Sequence, residues 1–524
     1  MFYLSIIRLN SFYKEYLFNQ NSGGEKLVIV DEKKRARYFV SLFFLQLFER
    51  FSFFGFFYIL IFFCINKLSL TESQASIFAG SFTALCYVLS SLGGYVADKV
   101  LGVRRALFTG GICLLLGYSI LASGDLFTDA AVYFGLAMVI TGACMFVPMT
   151  LNSVSRLYAG DPAKLDSIYA YFNMANNIGA LSGAILIPYL SSADSYGLEN
   201  RHYGLALGVC AFGVLLALLN VFLNKQLFLS IAAPIGKKAL GFKKLVTVIF
   251  GVMIFISLIA TLLYFNRVIS LVLVAAVIVI VGYFIYMTFQ QDKEYRLKML
   301  LLLVFIFYAT IFFMTYAQKT TSFFLFNVHH VDLNVLGMRL NSQTVPGLLN
   351  TSGILIFSPL LAMYFNKMGD RLRSTSKFAL CLMFAGLCYG FLFLVCLFND
   401  PTSKVSFWWE VFAVGVFFSW AEIMATAVGL SLITQLVPTR VRGFCMGMWF
   451  LTWAVGIKMG AFIASLFASS NLESSKSSKL LGQAKIDSYL GYQELFMWIM
   501  IVTLVAAFSL FIIKRWINRV IYNN

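Results

Sequence analysis

The 524-residue chain is 60% hydrophobic and only 12% charged, with a formal charge of +17 from 40 basic and 23 acidic residues. A soluble domain carries about 25% charged residues, so these proportions exclude an ordinary soluble protein and point to a chain that lives in a bilayer. Nucleic-acid binding is not implied either, because the basic residues sit between apolar runs and on alternate loops.

In chain order, the opening segment ends on Asp31-Glu32-Lys33-Lys34-Arg35-Ala36-Arg37. A basic run directly before the first long apolar stretch reads as a cytoplasmic flank and not as a cleavable leader. A helix needs about 20 apolar residues to cross the hydrocarbon core. Fourteen stretches meet that need: 38–66, 76–98, 105–123, 130–158, 166–190, 201–224, 245–265, 268–289, 298–327, 345–366, 375–398, 407–436, 441–469 and 490–514. They must be helical, because lipid offers no partner to an unpaired backbone amide.

The loops set an orientation. Lys99, Arg104, Arg105, Arg156, Lys164, the lysines of 225–244, Lys367, Arg371, Arg373, Arg440, Arg442 and the tail's Lys514, Arg515 and Arg519 all fall on one side. The positive-inside rule makes that side, with both termini, cytoplasmic. The plan is a cytoplasmic segment (1–37), a six-helix bundle (38–224), a linker with two extra spans (225–297), a second six-helix bundle (298–514) and a short cytoplasmic tail (515–524). Two six-helix halves around a midplane site is a transporter plan.

The nine cysteines lie in apolar runs with no CxxC pair, so no disulfide framework or zinc site is implied. The pair His329-His330 reads as water-facing and not as a metal ligand. No nucleophile–base constellation, phosphate loop or cofactor motif is present, so the chain reads as no enzyme, with no cofactor.

Charged side chains inside spans are costly and usually face a water-filled cavity. Five qualify: Glu49, Arg50, Lys319, Glu422 and Lys458. Each could be half of a structural ion pair between helices. The functional reading makes Arg50 a fork that grips a carboxylate bidentately, and Glu422 an anchor for an amine. One group from each half would hold a zwitterion across the cavity.

The segment Gln46-Leu47-Phe48-Glu49-Arg50-Phe51-Ser52-Phe53-Phe54-Gly55 resembles the ExxERFxYYG motif of the proton-dependent oligopeptide transporters, within the major facilitator superfamily. Gly94 to Arg105, with Asp98, Arg104 and Arg105, looks like that superfamily's GxxxD(R/K)xxGxRR loop, a conformational element. Tyr169-x-x-Phe172 with Asn177-Ile178-Gly179 is similar to the FYxxINxG motif. Tyr316 to Ser322, then Asn327-Val328-His329-His330, resembles bacterial di- and tripeptide permeases.

The resemblance implies an all-α major facilitator fold and import of small peptides by proton symport with alternating access. Arg50 would meet the peptide carboxylate and Glu422 the amine. Asn177 and Asn350 would bond the peptide backbone, Tyr87 and Trp449 would shape side-chain pockets, and Glu49 would join the proton-coupled switch. It also implies a bacterial inner membrane, with peptide, protons and lipid as partners and a monomeric carrier. The alternatives are a same-fold carrier of amino acids or another small solute with atypical coupling, and a non-transporting sensor.

The chain departs from the family at five positions. Gln46 replaces the motif's first glutamate, Val147 a fourth-span lysine, Ala317 a seventh-span glutamate, and Phe53 and Phe54 two tyrosines. Losing both Glu and Lys of a buried pair is coherent, because losing one alone strands a charge. Lys319 and Lys458 are extra cations, and at least one is expected to pair with Glu422 or to replace the lost cation in proton coupling.

Overall fold

The computed structural model describes Glu32 to Tyr522 apart from 97–99, 124–127, 159–161, 192–202, 231–240, 336, 343, 369–372, 438–441 and 468–477. Asp98 therefore lies outside the described residues. The first set of helices is α1 (Glu32–Lys67), α2 (Glu72–Val96), α3 (Val103–Ala122), α4 (Asp129–Leu157), α5 (Pro162–Ser191) and α6 (Tyr203–Leu223). Two more follow, α7 (Phe242–Tyr264) and α8 (Asn266–Phe289). The second set is α9 (Lys293–Gln318), α10 (Ser322–His330), α11 (Thr344–Met368), α12 (Ser374–Phe398), α13 (Ser419–Leu436), α14 (Arg442–Phe467) and α15 (Ser478–Tyr522). Among the described residues 11 helices are long and apolar enough to cross a bilayer, and Val277–Phe289 is a shorter apolar one. Over the described residues the stretches expected to be spans are helical for most of their length, with 298–327 divided between two helices.

The two sets form two bundles. α1 packs along α5 and α6, and α3 along α4 and α6; in the other half α12 packs along α13 and α15, and α9 along α14. The extra helix α7 lies on α4, where Tyr264 meets Tyr133 edge-on at 5.5 Å. In lipid no hydrophobic drive separates helix from solvent, so close approach at small residues holds such bundles. The α1–α5 contact shows this. A Cβ on Gly179 would collide with the Leu47 carbonyl oxygen, and one on Gly183 with that of Phe51. This Gly179-x-x-x-Gly183 face lets α5 run against the backbone of α1 beside Arg50. In the loop before α3, Gly102 has φ 78°, the left-handed region that glycine enters without penalty.

Three elements differ from the sequence expectation. The stretch 298–327 is not one helix: it breaks between Gln318 and Ser322. The Thr320 and Thr321 hydroxyls both donate to the Ala317 carbonyl oxygen, at 3.1 and 3.0 Å, and such back-bonding competes with the helix ladder. The stretch 407–436 contains a π-helical segment, Val411–Phe418, ahead of α13. Such bulges are frequent at functional sites, and this one abuts α11, where a Cβ on Gly353 would collide with the Gly415 carbonyl oxygen. The last helix runs well beyond 490–514 at both ends, because hydropathy marks only the part of a helix that lipid surrounds.

The two halves touch at one end, opposite the start of α1 and the finish of α15. There His329 Nε2 meets Glu72 Oε1 at 2.7 Å, Ser73 donates to the Ser465 carbonyl oxygen at 3.1 Å, and Asn341 donates to the Pro188 carbonyl oxygen at 3.1 Å. Phe324 lies 5.8 Å from Tyr58 and 6.3 Å from Phe62, ring to ring. Short strands brace this end: Val331–Asp332 pairs in parallel with Val405–Ser406. The adjacent His330 is buried against Ser488 Oγ at 3.1 Å, so the histidine pair serves packing and closure.

Candidate functional site

Glu49 and Arg50 sit at the middle of α1, both buried. Arg50 Nε donates to Glu49 Oε2 at 2.5 Å, and Arg50 Nη2 to Glu49 Oε1 at 3.0 Å. The guanidinium also lies 5.1 and 5.7 Å from the ring centroids of Phe53 and Phe54. The two rings that lost their hydroxyls thus serve as cation–π faces. A fork held by one carboxylate and two rings is preorganised to accept a second carboxylate once the first gives way.

The departure at Gln46 and Val147 has a neutral solution. Thr150 Oγ1 donates to Gln46 Oε1 at 3.0 Å, and Gln46 Nε2 reaches Asn176 Oδ1 at 3.5 Å. An amide, a hydroxyl and a second amide join α1, α4 and α5 without a charge, so no orphan ion remains. Ala317 has a packing role instead of an acidic one: a Cβ on Gly460 would meet the Ala317 methyl at 2.6 Å. The neighbouring Gln318 donates to the Gly460 carbonyl oxygen at 2.9 Å.

In the second half, Lys319 stands at the break between α9 and α10. Its Nζ donates to Asn350 Oδ1 at 2.6 Å and to Glu422 Oε2 at 3.4 Å, and lies 3.9 Å from the centroid of the Tyr316 ring. Asn350 Nδ2 in turn reaches Ser419 Oγ at 3.4 Å, just past the π segment. The structure therefore brings Lys319, Asn350 and Glu422 together. Lys319 is buried, and the Glu422 side chain keeps 13% of its surface exposed, enough to meet a solute.

Arg50 and Glu422 do not touch. Aromatic rings span the gap between them. Tyr87 on α2 lies within electrostatic range of both groups. Its ring meets Trp453 on α14 at 4.9 Å, and Trp453 meets Tyr316 at 5.3 Å and Phe313 at 4.2 Å. Tyr58 on α1 lies within electrostatic range of Glu422. Two buried charge pairs, one per half, thus flank a wall of tyrosine and tryptophan to which both halves contribute. Trp449 packs edge-on to Phe313 at 5.8 Å, behind Trp453. The spacing of four along one helix face was the signal that could have named Trp453 as well.

Asn177 is half-buried on α5, its amide donating to the Asn173 carbonyl oxygen at 3.0 Å. Gly179, where a Cβ would come within 3.0 Å of Arg50 Cβ, lies two residues further on and so on another side of α5; that contact does not carry Asn177 to Arg50. Arg104 and Arg105 are half-buried at the start of α3, and Arg105 Nη1 donates to the Leu101 carbonyl oxygen at 3.4 Å.

Lys458 is not at Glu422. Its Nζ donates to the Ile77 carbonyl oxygen at 3.2 Å and makes a short bond to Ser81 Oγ, both on α2 of the opposite half. Its place is the closed end, beside the contact of Gly80 with Ala461. A charged hydrogen bond contributes about 1.5–3 kcal/mol. Lys458→Met is thus expected to shift the population toward opening at this end by roughly tenfold or more. Distances between spin labels placed on α2 and α14 report it; an unchanged distribution would remove Lys458 from the closure.

The chain is similar to known proteins in sequence and in fold. A profile of the POT family matches residues 104–480. The dipeptide and tripeptide permease B of Aeromonas hydrophila is 31% identical over 494 residues, covering 92% of this chain and 94% of the relative. The permease of the same description from Salmonella typhimurium is 31% identical over 494 residues, with 93% and 96% covered. The crystal structure of tetrameric PepTSo2 superposes with a TM-score of 0.80 at 21% identity, over 93% of this chain and 100% of that one. A structure from work on substrate recognition in proton dependent oligopeptide transporters gives 0.78 at 23% identity, over 93% and 100%.

Proposed function

The chain belongs to the POT family, and from that membership we propose that it imports di- and tripeptides by proton symport, with Arg50 and Glu422 as the two poles of its site. It is a membrane carrier of the major facilitator fold and not an enzyme. It is a multi-pass protein of a bacterial inner membrane, and the positive-inside pattern supports cytoplasmic termini. On that orientation, the contacts between the halves at His329–Glu72, Ser73–Ser465 and Asn341–Pro188 lie at the outer end.

The observation that carries the reading is the pair of buried ion pairs facing each other across the Tyr87–Trp453–Tyr316 wall. A zwitterionic peptide is matched by it. Its carboxylate competes with Glu49 for Arg50, and its amine competes with Lys319 for Glu422. A proton on Glu49 cancels the attraction that holds Arg50 and releases the fork for the peptide carboxylate. Binding and protonation are then linked, because each favours the same arrangement of the site. Release of peptide and proton lets the Glu49–Arg50 pair reform, and the halves rock to the alternate face. Amino-acid or other small-solute carriage and a sensor role are not favoured. A monomer is the working unit that the resemblance implies. Asn177, Asn350, Trp449, Arg104, Arg105 and Asp98 keep the roles the resemblance implies.

Labelled dialanine uptake into liposomes, with and without an imposed pH gradient, tests the reading. Uptake should concentrate the peptide only when the gradient is present. Arg50→Lys keeps the charge but loses the second hydrogen bond, and should raise the half-saturating concentration about tenfold. Unchanged half-saturation would remove Arg50 from the site.

A further inference from the structure

The amine end of the site is already filled. An ammonium has three N–H donors, and its preferred partners are a carboxylate, a carbonyl oxygen and an aromatic face. Lys319 Nζ holds one of each: Glu422 Oε2 at 3.4 Å, Asn350 Oδ1 at 2.6 Å and the Tyr316 ring at 3.9 Å. The lysine is buried, and it projects from the break between α9 and α10, where the backbone bonds tighten to i→i−3 and two threonine hydroxyls also donate to the Ala317 carbonyl oxygen.

We propose that the Lys319 ammonium is a tethered stand-in for the substrate's own amine, occupying the amine subsite until a ligand displaces it. This rests on the peptide reading above and adds a specificity to it. In a site whose Glu422 were free, an entering α-ammonium would gain a charged hydrogen bond that an amide nitrogen cannot make. Here the entering ammonium only exchanges places with one that the chain already supplies. The exchange yields little net affinity, so the site discriminates weakly between a peptide with a free amine and one whose amine is blocked. The ligand class this chain takes, beyond free peptides, is therefore N-acylated and amine-less dipeptides, held chiefly by the Arg50 end and by the aromatic wall.

The test uses the full chain in lipid nanodiscs, with calorimetric affinities for dialanine and N-acetyl-dialanine. The native chain should bind the two within about threefold of each other. Lys319→Met frees Glu422 and should raise the preference for dialanine to about tenfold or more, the usual worth of one charged hydrogen bond. Lys319→Arg keeps a cation at the break and should keep the native ratio. A purely structural lysine would weaken both ligands alike in Lys319→Met and leave the ratio untouched, which would overturn the proposal. A native preference of tenfold or more for dialanine would overturn it without any variant, even if Lys319→Met does not fold. A native chain that binds N-acetyl-dialanine and dialanine equally supports it. One that binds neither refutes the peptide reading, and this inference with it.

Discussion

Glu49→Gln is expected to abolish concentrative dipeptide uptake driven by a pH gradient, while exchange of external for preloaded peptide continues. Glutamine preserves the shape of the side chain and can still accept from Arg50, but it carries no titratable proton. The carrier would then equilibrate its substrate without coupling. The variant also leaves a buried guanidinium without its counter-charge, a loss of about 3–5 kcal/mol when one partner of a buried pair is removed. A lowered melting temperature should accompany the uncoupling. The double variant Glu49→Gln, Arg50→Met removes the orphan charge and should recover most of that stability while failing to bind peptide. Concentrative uptake by Glu49→Gln at the native rate would take Glu49 out of the coupling. A double variant as unstable as the single one would mean that the destabilisation is not electrostatic.

Gly183→Val is expected to prevent folding into a transport-competent state. Its side chain would enter the space of the Phe51 carbonyl oxygen, with the Gly55 amide also at 3.0 Å. Both neighbours are backbone atoms inside helices and cannot turn aside as a side chain would. Relief requires α5 to move off α1, which carries Glu49 and Arg50. Overpacking of this kind costs about 3 kcal/mol or more, and here it also displaces the site. Size-exclusion profile and dialanine uptake should both collapse. Gly251→Ala on α7 is the matched control, because a Cβ there meets nothing within 4 Å. It should be silent, and a Gly183→Val variant that matches it would refute the close-packing account.

Much of the architecture was legible in the amino-acid order, for a physical reason. Lipid permits only helices for a chain of this composition, so apolar run length alone places the spans. Basic loop residues add an orientation, and an isolated charge in an apolar run marks the site. Glu49, Arg50, Lys319, Glu422 and Lys458 were all found this way. Their partners were not legible. Lys319 and Lys458 look alike in sequence, as single lysines in apolar helices. One reaches Glu422 from the break between α9 and α10. The other reaches Ser81 because α14 lies against α2 of the opposite half.

Trp453 and Trp449 cannot be told apart in sequence, for the same reason. Composition ranks both tryptophans equally, and only the approach of Tyr87 from the other half selects one. The substitutions at Gln46 and Val147 were readable as a paired loss of charge, but not the Thr150 and Asn176 contacts that absorb it. The sequence by itself determined the solvent, the helices and the short roster of costly charges, because each follows from what a residue does alone in hydrocarbon. The tertiary structure decided which charge neutralises which, since that depends on helix breaks and on contacts between segments hundreds of residues apart.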